Sequence, residues 1–256
     1  MAAQIHELLT FVVQQGASDL HLSAGEVPCV RIDGGVRRLD LARLTAEDAR
    51  RMAYSIMTEK QKSFFENNLE IDFAVGLKGL ARFRVNVFTQ SRGVGIVLRH
   101  IPAKVWTLDK VGAPPIFRNI ADTRQGLVLV TGPTGSGKTT TLAAMMDHIN
   151  RSRSDHILTI EDPIEFVHTP YKCIISQREV GPHTHSFANA LRSALREDPD
   201  VILVGEMRDH ETVSMTLTAA EMGFLVFGTL HTNGAGKTID RLVDIFPEER
   251  QQLVRN

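Results

Sequence analysis

Leu127-Val128-Leu129-Val130-Thr131-Gly132-Pro133-Thr134-Gly135-Ser136-Gly137-Lys138-Thr139-Thr140 joins a short apolar run to a glycine-rich turn and then to a stretch of helical periodicity. The order Gly132, four residues, Gly137-Lys138-Thr139 is the phosphate-loop pattern, and here it lies directly after one expected strand and directly before one expected helix. That placement gives the pattern its chemistry. Glycines let successive backbone N–H groups point inward at phosphates, and the helix N-terminus adds a favourable dipole. Lys138 is then placed to reach the β and γ phosphates, and the Thr139 hydroxyl to ligate Mg²⁺. The candidate nucleotide-binding residues are Gly132, Pro133, Thr134, Gly135, Ser136, Gly137, Lys138, Thr139 and Thr140, and a nucleoside triphosphate such as ATP, with Mg²⁺, is the implied ligand.

Downstream, strand and helix patterns alternate. Expected strands cover Leu127 to Val130, His156 to Ile160, Val201 to Val204 and Leu225 to Thr229. Expected helices cover Gly137 to Ile149, Phe187 to Arg196 and Glu211 to Met222. Short, nearly all-apolar strands separated by helices indicate a parallel sheet covered on both faces, an α/β core.

Upstream the pattern differs. Ile5, Leu8, Leu9, Val12 and Val13 mark an amphipathic helix that Gly16 is suited to end. Asp33-Gly34-Gly35 between Val30-Arg31-Ile32 and Val36-Arg37-Arg38-Leu39 is a hairpin signal. A helix following Thr45, with Asp48 completing its cap, and another over Lys60 to Asn67 come next. Ile71 to Val75, Ala81 to Phe88 and Gly95 to Arg99 read as further strands. The first hundred residues are therefore an α+β module. Pro102, Pro114 and Pro115 interrupt regular structure, so residues 1–104 are read as one domain, 105–125 as a linker leading into the second, and 126–256 as the core.

Composition bounds the function. The 256 residues are 43% hydrophobic and 23% charged, enough for two ordinary domains. Twenty-nine Lys plus Arg against 30 Asp plus Glu leave a formal charge of −1, so attraction to nucleic acid or an anionic membrane would need a local patch. Two distant cysteines, Cys29 and Cys173, build neither a zinc cluster nor a disulfide framework and suit a reducing cytoplasm. No apolar run approaches a bilayer span and no signal peptide opens the chain, so membrane insertion is not expected.

Hydrolysis needs a group to orient or deprotonate water and positive charge for the transition state. Ile157 to Ile160 runs into Glu161, and Val201 to Val204 runs into Gly205-Glu206. In an open α/β sheet ligands sit at the carboxyl ends of strands, where the phosphate loop also leaves its strand. Glu161 and Glu206 are thus the candidate catalytic acids, and Glu206 is a candidate for metal and water together. His231 follows a third apolar strand toward the same edge. There it would sense the γ-phosphate, hydrogen-bond a carboxylate, or simply cap a turn. His183-Thr184-His185 lies in a Gly/Pro turn and reads as a solvated loop.

Several runs together resemble one family. Thr131 to Thr140, Ile157 to Val167, Leu195 to Asp209 and Gly228 to Asn233 are similar to the Walker A, Asp box, Walker B and His box of the secretion-superfamily ATPases, hexameric motors of type IV pili and type II secretion. Gly16 to Gly25, Ala81 to Asn86 and Lys237 to Arg241 are similar to the pilus-retraction branch of that family. The resemblance implies a PAS-like N-terminal domain followed by a RecA-like P-loop core, a homo-hexamer, and catalytic roles for Glu161 and Glu206 with His231 as a coupling residue. It also implies arginines of the N-terminal domain reaching toward the phosphates, with Arg84 and Arg99 at the matching positions and Arg82 beside Arg84. Residues i and i+2 of a strand share a face, and such arginines could equally pair with surface acids. The implied partner is the inner-membrane pilus platform protein, with the motor cytoplasmic and peripheral at the inner face of that membrane. No nucleic-acid partner is implied.

The absence of the four-cysteine zinc element found in many extension and secretion motors favours retraction over extension. An accessory retraction protein or a related secretion ATPase is the alternative; a nucleic-acid translocase fits less well. Two departures stand out. Gly234-Ala235-Gly236 is glycine-rich and reads as a loose turn. After Phe246-Pro247 the family pattern continues through further helices bearing an Ala-Ile-Arg-Asn motif, and the 256 residues are read as lacking that segment.

Overall fold

The computed structural model describes residues 4–77, 80–101 and 105–255. Contacts divide the chain into two units, residues 1–103 and 104–256.

In the first unit, helix α1 (Ile5–Gln14) buries Leu8, Leu9 and Val12 at helical spacing and stops at Gly16, which takes a φ of 62°. Helix α2 (Ala46–Ser55) carries a reciprocal cap: Asp48 N–H donates to the Thr45 hydroxyl at 3.0 Å and Thr45 N–H to Asp48 Oδ2 at 3.1 Å. Thr58 and Gln61 cap helix α3 (Glu59–Asn68) in the same way. Six strands, β1 (Asp19–Ser23), β2 (Cys29–Ile32), β3 (Gly35–Arg38), β4 (Glu70–Leu77), β5 (Ala81–Gln90) and β6 (Gly93–Ile101), form an antiparallel sheet ordered β3-β2-β1-β6-β5-β4. Strand alternation sends Leu20, Leu22, Phe83, Val85, Val87, Ile96 and Leu98 into one core with the three helices. Asp19, Arg99 and Arg84 line up across the other face in adjacent register positions.

The second unit holds a five-stranded parallel sheet of β7 (Gly126–Thr131), β8 (His156–Glu161), β9 (Ile174–Glu179), β10 (Val201–Val204) and β11 (Leu225–Leu230) in the order β7-β11-β10-β8-β9. Every residue of β10 and β11 is buried. The continuous apolar runs are explained by a core on each face. Ile157, Val201, Leu203, Leu225 and Phe227 pack with Ala121 of helix α4 (Ile116–Ala121) and with helix α5 (Lys138–Ser152). Leu158, Ile160, Ile202, Val204 and Val226 pack with helices α6 (Phe187–Ala194), α7 (His210–Glu221) and α8 (Ala235–Asp244). Each fully buried side chain such as Phe227 contributes about 1.5–3 kcal/mol relative to exposure. A last helix, α9, spans Glu248–Arg255.

Three segments differ from the sequence reading. Residues 105–125 contain α4, and Leu108 and Ala121 are buried in the core of the second unit. Pro115 there precedes the first helical residue, a position where proline's missing N–H and fixed φ cost nothing. Gly234-Ala235-Gly236 is not a loose turn: Gly234 at φ 95° is the N-cap, and α8 runs through Gly236 because Thr238, Leu242 and Val243 bury its inner face. Strand β9 was not expected. Its sequence, Ile-Ile-Ser-Gln-Arg-Glu, is two-thirds polar because it is the edge strand beside β8.

Candidate active site

Strand β7 delivers the chain into the loop 132–137, and α5 starts at Lys138. Gly132 has a φ of 149°, and a Cβ there would stand 2.7 Å from Ser136 Oγ, so the loop closes this tightly only with glycine at its first position. The Lys138 ammonium donates to the Gly132 and Pro133 carbonyls at 2.9 and 3.0 Å. It also lies 3.4 Å from His231 Nδ1.

Strands β10 and β11 end side by side, and their exits are sewn together. Thr229 Oγ1 donates to the Gly205 carbonyl, and Met207 N–H donates to the Thr229 carbonyl at 3.1 Å. This stitching places Glu206 beside His231, whose Nε2 is 3.3 Å from Glu206 Oε1. An ammonium can only donate, so Nδ1 must accept from Lys138, which leaves the ring hydrogen of this tautomer on Nε2, the nitrogen nearer Glu206. His231 therefore stands between Lys138, to which it is hydrogen-bonded, and Glu206, which it approaches within ion-pair distance. Arg208, which sequence reasoning did not single out, pairs with Glu206 from two residues on.

Glu161 ends the neighbouring strand β8 and belongs to a second network. Its Oε1 accepts from Thr159 Oγ1 at 2.7 Å and from Gln177 Nε2 at 3.3 Å, while Oε2 accepts from Glu165 N–H at 3.4 Å. Burial pushes its carboxyl above the ordinary range, and those three donors only partly oppose the shift. The two strand ends remain adjacent, since Gly205 N–H donates to the Ile160 carbonyl at 2.8 Å.

Arg84 and Arg99 lie in the first unit at directly opposed positions of β5 and β6. Arg84 Nη2 is 2.7 Å from Asp72 Oδ2, and Arg99 Nε is 2.9 Å from Asp19 Oδ1. Burial pulls the Asp19 carboxyl upward, but the Ser18 hydroxyl and Arg99 outweigh it and hold it below the usual range. Asp209, at the end of the Walker B-like run, caps α7: its carboxylate accepts from the Thr212 backbone N–H at 2.9 Å and the Thr212 hydroxyl at 2.7 Å. His183 and His185 are exposed, and His183 Nδ1 accepts from Glu179 N–H at 3.0 Å.

Among the described residues there is no group of three or more His, Cys, Asp or Glu side chains placed to hold a metal; the two candidate ligands of a divalent cation, the Thr139 hydroxyl and the Glu206 carboxylate, are hard oxygen donors. That suits Mg²⁺, which takes few protein ligands and completes its shell with water and substrate phosphate.

The family model for type II/IV secretion system proteins matches residues 1–253. The chain belongs to that family. Among family relatives, the type IV pilus retraction ATPase PilT of Pseudomonas aeruginosa is 59% identical over 252 residues, 98% of this chain and 73% of that protein. A twitching motility protein of Neisseria gonorrhoeae is 57% identical over 90% of this chain and 61% of its own length. A crystal structure of the pilus retraction motor PilT with bound ADP superposes with a TM-score of 0.94 at 54% identity, covering 99% of this chain and 74% of that one. The α/β family fold, with its parallel-sheet core, is thus shared across nearly the whole chain. Among the described residues no helix is long and apolar enough to cross a membrane.

Proposed function

We propose that this chain is the ATP-hydrolysing motor of type IV pilus retraction, the activity that drives twitching motility. The observation that carries the chemistry is the placing of His231 between Lys138 and Glu206 at the mouth of a phosphate loop. The similarity to retraction ATPases over nearly all of the chain supports the biological role.

The loop amides and Lys138 hold the β and γ phosphates and offset the charge that builds as the γ-phosphoryl leaves the bridging oxygen. Glu206 orients the attacking water and accepts its proton, and His231, 3.3 Å away, couples that carboxylate to Lys138. Glu161, one strand away, is the second acid. Mg²⁺, held by Thr139 and Glu206 together with phosphate oxygens, would supply further charge neutralisation. Arg84 and Arg99, at the positions the family resemblance matches, are the candidates to supply transition-state charge. The motor works as a homo-hexamer with N-terminal and core domains, in the cytoplasm against the inner-membrane platform protein.

Turnover of ATP by the purified protein and by Glu206→Gln tests this. The expected result is hydrolysis by the first, with retained binding of a fluorescent ATP analogue and turnover reduced on the order of 100-fold in the second. Unchanged hydrolysis in the variant would sink the role of Glu206, and failure of the parent protein to bind ATP would sink the ATPase reading.

A further inference from the structure

Between Glu161 and Ile174 the chain leaves the sheet and returns without forming regular structure. Side chains fasten it. Glu179 Oε2 accepts from Ile164 N–H at 3.0 Å. Gln177 Nε2 donates to the Phe166 carbonyl at 2.8 Å, and Gln177 Oε1 accepts from His168 N–H at 2.9 Å. Asn150 of α5 donates to the Thr169 carbonyl at 2.8 Å and accepts from Tyr171 N–H at 2.9 Å.

Gln177 carries this fastening through to the chemistry, because its second Nε2 hydrogen goes to Glu161 Oε1 at 3.3 Å. Both N–H donors and the carbonyl of one amide are used, each on a different partner. A carboxylate at the same place would set acceptor against acceptor at Glu161 and at Phe166, and an apolar side chain would leave all three partners without this bond. We propose that Gln177 is a positioning residue for ATP hydrolysis, its single amide holding the Glu161 carboxylate and the 166–168 backbone in fixed relation. This rests on reading Glu161 as an acid of the ATPase site.

Thr159 gives the contrast. Its hydroxyl donates to the same Glu161 oxygen at 2.7 Å from a fully buried strand position, with no bond to the 162–172 segment. The titratable neighbours of Glu161 include Asp162 and Glu165 along the chain, Glu179 at the paired position on β9, and Glu206 two residues past the end of β10, while Arg178 of β9 is engaged by Glu197 at 2.8 Å. Removing either donor lets burial and Glu165 act on Glu161 with less opposition, so the carboxylate form becomes harder to reach.

The experiment compares Thr159→Val, Gln177→Met and Glu161→Gln in the purified protein. It reads kcat and KM for ATP across the pH range, together with hydrogen exchange of the 164–168 amides. Thr159→Val and Gln177→Met are each expected to move the acid limb of kcat upward by about one pH unit, with KM within about twofold. Gln177→Met alone is expected also to speed exchange at the His168 amide by about tenfold or more. A kcat profile for Gln177→Met that superposes on the parent after scaling, or unchanged exchange at His168, overturns the proposal. If Glu161→Gln hydrolyses ATP at the parental rate, the reading of Glu161 fails. If it is inactive while the Gln177→Met profile is unmoved, only the role of Gln177 fails. Should Gln177→Met not fold, Gln177→Asn, which keeps the amide but shortens its reach by one methylene, takes its place with the same outcomes.

Discussion

The Cα of Glu161 lies 3.2 Å from the point that a Cβ on Gly205 would occupy, and the Ile160 carbonyl lies 3.1 Å from it. Both contacts are with backbone, which cannot swing aside as a side-chain tip can. The glycine before Glu206 thus sets how closely the two acid-bearing strand ends approach.

Gly205→Ala follows from that relationship. The β8–β10 spacing must open by a few tenths of an ångström, moving Glu206 and Glu161 relative to the phosphate loop. We expect kcat to fall by about tenfold, since small misplacements of reacting groups are costly, with KM for ATP nearly unchanged. Steady-state kinetics beside a melting curve check this. A variant as active as the parent would mean the site tolerates the displacement.

Glu161→Gln is expected to trade activity for stability. A carboxyl whose value is raised by burial binds more protons folded than unfolded, so its ionisation erodes stability as pH rises from the ordinary glutamate range through the raised value. Glutamine keeps an oxygen for Thr159 and Gln177 without the charge. Melting temperature should therefore rise by on the order of 2–4 °C at alkaline pH, and the gain should shrink as pH falls into the range where the parental carboxyl is already protonated. A gain that is constant with pH, or absent, would count against the charge as its cause.

How much of this was legible in the sequence depends on where each signal is stored. Strands β7, β8, β10 and β11 carry apolar runs because both sheet faces are covered, so Glu206 and His231 are found just beyond the ends of two of them, and Lys138 by the phosphate-loop pattern that follows a third. Edge strand β9 has no such run, and Gln177 on it looks like any surface glutamine until the 166–168 backbone folds against it. Thr159 is hidden for the opposite reason, as a polar residue inside an apolar strand. Helix α8 runs through Gly236 in its first turn because tertiary burial of Thr238, Leu242 and Val243 outweighs a helical glycine's cost of at most about 1 kcal/mol.

The Asp19–Arg99 pair gives a prediction in the first unit. Asp19 is held below its ordinary range despite burial, so it contributes stability that is present above the unfolded aspartate value near about 3.9 and is lost as pH falls through the lower folded value. Asp19→Asn should melt about 1–3 °C lower at neutral pH, a small effect because the Arg99 side chain is largely exposed. The difference should shrink as pH falls below the ordinary aspartate range and disappear once the folded carboxyl is protonated. A difference that persists into strong acid would assign the effect to packing around Ser18 and Arg31 instead.

His231 bears the sharpest test of the site. Its ring lies between Lys138, 3.4 Å from Nδ1, and Glu206, 3.3 Å from Nε2, and accepts from the ammonium through Nδ1. Alanine removes the imidazole from both neighbours, leaving the ammonium without its ring acceptor and Glu206 with its Arg208 pairing. Turnover should drop by on the order of 10–100-fold while ATP binding, carried by the loop amides and Lys138, changes by less than about threefold. Glutamine has one acceptor and one donor that can take the same two places, so His231→Gln should recover part of the lost rate. Single-turnover hydrolysis with pre-bound ATP separates the chemical step from binding and release. If glutamine is no better than alanine, the ring acts by titrating and not by bridging. If alanine hydrolyses ATP as the parent does, Lys138 and Glu206 do not need the link between them.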